Sequence, residues 1–377
     1  MFRSQRMLQS WPFYDILRPT VLLNSVSSGW GKAMSTLNNG RQRLICRNPF
    51  EWFEIHPDGQ VFACCPAWLK QPLGNLLSDD LTEIWNGPRA RALRQAIHDG
   101  SFRYCNVKRC PRLVGVTEPV LSVANLPEDD LAAIFRAKQT VLPWGPRKLN
   151  LCYDRSCNLA CSSCRQGLFI PSKQERERAA RLSKRVQSEL APQARQLIIS
   201  GIGDPFASDA YHRLLEEFVP SDYPQLQSIH LHSNGLLWTS IAWQSLQAVQ
   251  PFVRTAEISV DAVSAATYAT NRGGDFERLL DNLTFLASLP IAITLSFVVQ
   301  QNNYREMVDF VSLAQGLGFA VYFSQLVNWG TFSKQEFRRR AVHLPDHPEY
   351  SGFCNLLREV VRFKGVDIGN LQTLVNN

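Results

Sequence analysis

The stretch 149-LNLCYDRSCNLACSSCRQG-167 constrains this chain more than any other. Cys157, Cys161 and Cys164 follow an apolar, strand-like run with the spacing Cys-x-x-x-Cys-x-x-Cys. Three thiolates from one short loop cannot close a tetrahedral zinc site, which needs four ligands. They can hold three irons of a [4Fe–4S] cluster and leave the fourth iron open. A zinc knuckle completed by Cys152, or unrelated buried cysteines, are the other readings of the same loop. The 377 residues include 10 cysteines, and the start, MFRSQRMLQSWPFYDILRPTVLL, shows no sustained apolar run of a secretory signal. Metal ligation therefore explains the thiols better than disulfides do.

The rest of the chain reads as alternation. Apolar strands are expected at 147–153, 196–200, 227–232, 256–261, 291–299 and 319–326. Amphipathic helices are expected between them at 174–192, 207–218, 239–249, 275–288 and 303–317. Such alternation implies parallel strands joined by right-handed crossovers. Six units are too few for an eight-unit barrel, so the fold class is α/β, a partial (β/α)6 TIM-like barrel with a small cysteine-rich N-terminal module. The domains are a basic arm at 1–43, the module at 44–115, a connecting helix region at 116–145, the barrel at 146–335 and a tail at 336–377. No apolar run is long enough to span a bilayer. The net charge of +7 is too diffuse to identify a nucleic-acid binder.

The triplet after strand one resembles the signature of the radical S-adenosylmethionine superfamily. Other elements share the resemblance over about 146–330. Gly201, Gly203, Asp204 and Pro205 in 200-SGIGDPF-206 are similar to the family's Gly-Gly-Glu-Pro element, with Asp for the commoner Glu. Ser233 and Asn234 in 232-HSNG-235 are similar to its Thr-Asn-Gly turn. Ser259 and Asp261 open the run 259-SVDAVSAATYATNRGGDF-276, which many members with added cluster domains share. The resemblance implies that Cys157, Cys161 and Cys164 bind a [4Fe–4S] cluster whose open iron is chelated by S-adenosylmethionine. It implies that Gly201, Gly203, Asp204 and Pro205 hold the cofactor's methionyl end, and that Ser233, Asn234, Ser259 and Asp261 contact the cofactor. Reductive cleavage would then give a 5′-deoxyadenosyl radical that takes hydrogen from substrate. Ser163 stands where the family often places an aromatic residue for adenine.

A second resemblance covers the N-terminal module. Residues 54–62 read as a hairpin with an Asp58-Gly59 turn. Cys46, Gly59 and Cys64 fall in a Cys-x12-Gly-x4-Cys pattern similar to the opening of SPASM and twitch auxiliary-cluster domains. Cys105 and Cys110 complete a four-thiolate set with Cys46 and Cys64. This set fits one auxiliary [4Fe–4S] cluster, though four thiolates also suit zinc, and Cys65 stands beside Cys64 as an alternative ligand. In most relatives such a module follows the barrel; here it precedes it.

The implied function is hydrogen abstraction from a small molecule, leading to oxidation or rearrangement of a sugar or other natural-product intermediate. Peptide maturation or epimerisation is the alternative, and a non-catalytic iron–sulfur or zinc scaffold binding RNA is a third reading. An electron donor such as flavodoxin or ferredoxin is the implied partner, and oxygen-labile clusters imply the cytoplasm. Cys354 is a candidate hydrogen donor should the tail cover the barrel mouth. In 323-FSQLVNWGTF-332, Asn328, Trp329 and Thr331 are expected near the substrate.

Overall fold

Among the described residues twelve strands form in chain order: β1 Leu44–Cys46, β2 Trp52–Ile55, β3 Gln60–Phe62, β4 Gly74–Asn75, β5 Val120–Ser122, β6 Lys148–Leu151, β7 Gln196–Ile199, β8 Ser228–Ser233, β9 Val253–Ser259, β10 Ala292–Val299, β11 Ala320–Gln325 and β12 Val366–Asp367. The computed structural model in which they are seen describes residues 44–115, 118–199 and 201–375; the expected arm at 1–43 lies outside them. Ten strands make one sheet in the order β12-β11-β10-β9-β8-β7-β6-β2-β3-β4. The six expected strands, β6 to β11, run parallel and in sequence order with helices between them. This is the open, partial-barrel arrangement that the alternation implied.

Each strand separates two environments. In β6, Leu149 and Leu151 are fully buried while Asn150 lies between them on the opposite face. In β8, Ile229 and Leu231 alternate with His230 and His232; in β9, Ala256 and Ile258 alternate with Thr255, Glu257 and Ser259. The apolar set packs under amphipathic helices such as Phe276–Ala287, which buries Phe276, Leu279, Leu283 and Leu286. Asp275 starts that helix by accepting a hydrogen bond from the Arg278 N–H at 3.1 Å. The other set faces a lumen that is polar, where barrels of this type usually carry bulky branched residues.

The cysteine-rich module is part of this sheet. β2 pairs parallel with β6, setting Glu54 opposite Asn150 and Ile55 opposite Leu151. The Cys152 N–H continues the ladder to the Ile55 carbonyl at 2.9 Å, just beyond the end of β6. β3 and β4 extend the edge antiparallel. The expected connecting region also belongs to the module: β5 pairs with β1, and the helix Asp130–Arg136 buries Leu131, Ile134 and Phe135. Buried Arg94 ties these pieces together through the carbonyls of Pro49 and Thr140 and the Asn86 side chain, at 2.8, 2.9 and 2.9 Å. The tail likewise joins the sheet, because β12 pairs with β11. A helix at Ala265–Asn271 was not expected, and the one expected at 239–249 is only Ser240–Gln244. No helix among the described residues is long and apolar enough to cross a membrane.

Candidate active site

The cysteine loop leaves β6 under the control of Asp154. One carboxylate oxygen accepts from the Ser156 N–H and hydroxyl at 2.9 and 2.7 Å, and the other accepts from Ser208 Oγ at 2.6 Å. The buried Tyr211 hydroxyl donates to the Leu151 carbonyl and accepts from the Asp154 N–H, at 2.9 and 2.8 Å. The loop therefore begins on a fixed platform. Cys157, Cys161 and Cys164 then line one cavity of about 540 Å³ at the carboxyl ends of the parallel strands. Gly201, Gly203, Asp204, Ser233, Asn234 and Ser259 line the same cavity.

Gly203 is fixed by packing. A Cβ there would lie 2.5 Å from the Asp154 carbonyl oxygen and 2.8 Å from that of Ser156. The glycine loop thus rests directly on the backbone of the cysteine loop. Asp204 is buried and binds the two neighbouring loops: Oδ1 accepts from the Phe206 N–H at 2.9 Å, and Oδ2 accepts from Ser233 Oγ and the Asn234 N–H at 2.9 and 2.8 Å. Burial raises its pKa despite these donors. Asn234 in turn reaches Asn158 Oδ1 at 2.8 Å and Cys157 Sγ at 3.6 Å. Glycine loop, Ser233-Asn234 turn and cysteine loop are one hydrogen-bonded unit.

Some expected site residues lie elsewhere. Asp261 is 1% exposed and does not line the cavity; it accepts from the Val298 N–H at 2.6 Å and Arg272 Nη1 at 3.1 Å. It orients Arg272, which does line the cavity. Burial works against the Arg272 charge, but Cys161 and Asp261 together hold its pKa above the usual value. Pro205 is buried outside the lining. Cys354 is 5% exposed on the helix Tyr350–Val360, whose apolar face turns it into the core rather than into the cavity. Trp329 lines the cavity, whereas Asn328 builds its own turn by accepting from the N–H groups of Gly330 and Phe332.

Sequence reasoning missed the strand wall. Asn150, His230, His232, Glu257 and Ser296 line the cavity. Their signal was present as alternation, His-x-His in β8 and Thr-x-Glu-x-Ser in β9, but no loop motif marks it. His232 Nε2 meets Ser259 Oγ at 3.0 Å, and the Glu257 carboxylate stands 3.6 Å away.

In the module, the 105–110 loop is held to the 64–69 turn by the Asn106 N–H, which donates to the Trp68 carbonyl at 2.7 Å. Cys64 Sγ accepts from Trp68 Nε1 at 3.1 Å and Asn48 Nδ2 at 3.4 Å. Burial and then the neighbouring thiols push Cys46 well up, Cys64 to about 11 and Cys105 to about 12. Burial also raises Cys110. Cys65 has a different principal neighbour, Glu54, which also acts on Cys152. The donor set suits a cluster: soft thiols sense one another, and N–H groups point at sulfur. Among the described residues, no group of three or more His, Cys, Asp or Glu is arranged to hold a single metal ion. Burial lowers the Arg112 pKa against the pull of the neighbouring thiols Cys64, Cys110 and Cys46.

Residues 46–111 match the SPASM family, an iron–sulfur cluster-binding domain. That match bears out the resemblance read from Cys46, Gly59 and Cys64. No curated protein sequence matches the chain. Among similar solved structures, Streptococcus suis SuiB bound to S-adenosylmethionine is 12% identical, covering 78% of this chain and 66% of that one, with a TM-score of 0.41. SuiB bound to its precursor peptide SuiA is 11% identical, over 89% of this chain and 74% of that one, with a TM-score of 0.42. Native anSMEcpe with bound AdoMet is 16% identical, over 57% of this chain and 59% of that one, with a TM-score of 0.40. Two of these three alignments thus take in less than two thirds of the other chain.

Proposed function

We propose that this chain is a radical S-adenosylmethionine enzyme that oxidises or rearranges a small polar molecule. The observation that carries the reading is one cavity of about 540 Å³ shared by the cysteine triplet, the glycine loop and a polar strand wall. Cys157, Cys161 and Cys164 would hold the open [4Fe–4S] cluster. Gly201, Gly203 and Asp204 would receive the methionyl end of S-adenosylmethionine, with Ser233, Asn234 and Ser259 beside it. Bound together, cluster and cofactor supply reductive sulfonium cleavage and a hydrogen-abstracting 5′-deoxyadenosyl radical. The chain's own work is placement. Asp204 keeps the glycine loop against Asn234, and Asp261 holds Arg272 at the cavity wall. The apolar faces of the strands keep the surrounding shell dry. Cys46, Cys64, Cys105 and Cys110 would hold the auxiliary cluster, next to a lumen that the module helps to wall. A low-potential donor such as flavodoxin or ferredoxin, in a reducing cytoplasm, fits this chemistry.

One observation favours a peptide substrate as the second reading. Leu168 and Ile170 follow the cysteine loop at 60% and 82% exposure, and the cavity-lining Trp329 is 55% exposed. Exposed apolar side chains beside the cysteine loop and in the cavity wall are surfaces that a bound peptide would cover. The first test is on anaerobically reconstituted protein. About eight irons per chain with 5′-deoxyadenosine release after dithionite is the expected result. Zinc in the module, about four irons and no nucleoside after confirmed reduction would overturn the reading.

A further inference from the structure

We infer that the cavity wall formed by Glu257 and the Asn150 side-chain carbonyl binds a primary ammonium group of the substrate. This deepens the function proposed above and rests on it for the identity of the ligand as a substrate. Asn150 is 1% exposed, lines the cavity, and uses Nδ2 to donate to Glu54 Oε2 at 3.0 Å. Its Oδ1 is buried with no hydrogen-bond partner. Glu54 cannot supply one, because a carboxylate only accepts. It already receives His56 Nε2 at 2.8 Å and Trp52 Nε1 at 3.3 Å.

Glu257 also lines the cavity and lacks a close donor. Its side chain is 8% exposed, and His232 Nε2 stands 3.6 Å away, engaged with Ser259 Oγ at 3.0 Å. The three arginines that line the cavity have other neighbours. Arg165 donates to the Arg155 and Ile202 carbonyls, Arg272 pairs with Asp261, and Arg155 lies over the Phe169 ring. No lysine is among the lining residues. A buried carbonyl without a donor is costly to leave unmatched, and a carboxylate whose nearest N–H stands 3.6 Å away gains from a closer cationic donor. A hydroxyl would offer one donor and no charge. An ammonium offers three donors and a positive charge, and so suits a cavity whose wall presents both acceptors.

Saturation-transfer NMR on the full-length, anaerobically reconstituted protein with S-adenosylmethionine present tests this. The probes are n-propylammonium and its neutral counterpart 1-propanol. Selective transfer to n-propylammonium is expected, with affinity reduced about tenfold in Glu257→Gln and also reduced in Asn150→Leu. Equal transfer to both probes in the unmodified protein would overturn the inference, even should a variant fail to fold. Unchanged affinity in folded Glu257→Gln would also overturn it. So would displacement of n-propylammonium by S-adenosylmethionine, which would assign these acceptors to the cofactor. Selective ammonium binding without 5′-deoxyadenosine release would keep the site and remove the radical chemistry. Nucleoside release without ammonium selectivity would do the reverse.

Discussion

Replacing Gly203 with alanine tests the contact between the two loops that build the cavity. The new Cβ would sit 2.5 Å from the Asp154 carbonyl oxygen and 2.8 Å from that of Ser156. Both neighbours are backbone atoms, so no side chain can swing aside. The loops must separate by roughly half an ångström or more, and overpacking of this kind costs about 1–3 kcal/mol. The Asp154 side cannot yield easily, because Ser208 Oγ and the Tyr211 hydroxyl hold it at 2.6 and 2.8 Å. The glycine loop is thus the part that moves. If the full cost falls on cofactor binding, S-adenosylmethionine affinity drops roughly 5- to 150-fold. Calorimetric titration of the anaerobically reconstituted variant reads that loss. Gly167→Ala is the control, since a Cβ there meets nothing within 4 Å. Affinity for Gly203→Ala within twofold of the Gly167→Ala value would refute the argument that the two loops are in rigid contact.

Three further outcomes are expected. Cys110→Ala should lower iron from about eight to about four per chain while leaving the triplet's cluster in place; iron and acid-labile sulfide assays decide, and loss of both clusters would contradict independent ligand sets. Arg94→Met should destabilise the protein by about 3 kcal/mol, because it strands the buried carbonyl of Pro49 and removes the bond to the half-buried one of Thr140; a denaturant midpoint close to that of the parent would argue against their role. His343 is held neutral, with burial lowering its pKa to about 4. The unfolded chain therefore binds the extra proton first. The stability that His343 contributes is present above pH ~6.5 and lost as pH falls toward 4, a change of about 3 kcal/mol. Denaturant titrations of His343→Gln should show a flatter acid limb over that window, and parallel curves would rule this out.

Local chemistry made part of this protein legible from sequence. Three thiols in one loop were legible as a candidate cluster site, because ligand count and spacing need no tertiary information. The period-two apolar strands and the 3.6-residue helices between them likewise imply a parallel sheet, since each element must bury its own face. The Asp58-Gly59 turn is equally local: Gly59 has φ +83°, and a Cβ there would lie 2.3 Å from Asn75 Oδ1. Tertiary structure decided the rest. Only β2 pairing with β6 shows that the module belongs to the barrel wall, because strand pairing between distant segments is set by packing. Only the curvature of the sheet brings Asn150 and Glu257 to one cavity, and only the amphipathic face of the last long helix turns Cys354 into the core. A polar residue inside an apolar strand reads the same in sequence whether it faces a lumen or water. The closed environment around it makes it a binding group.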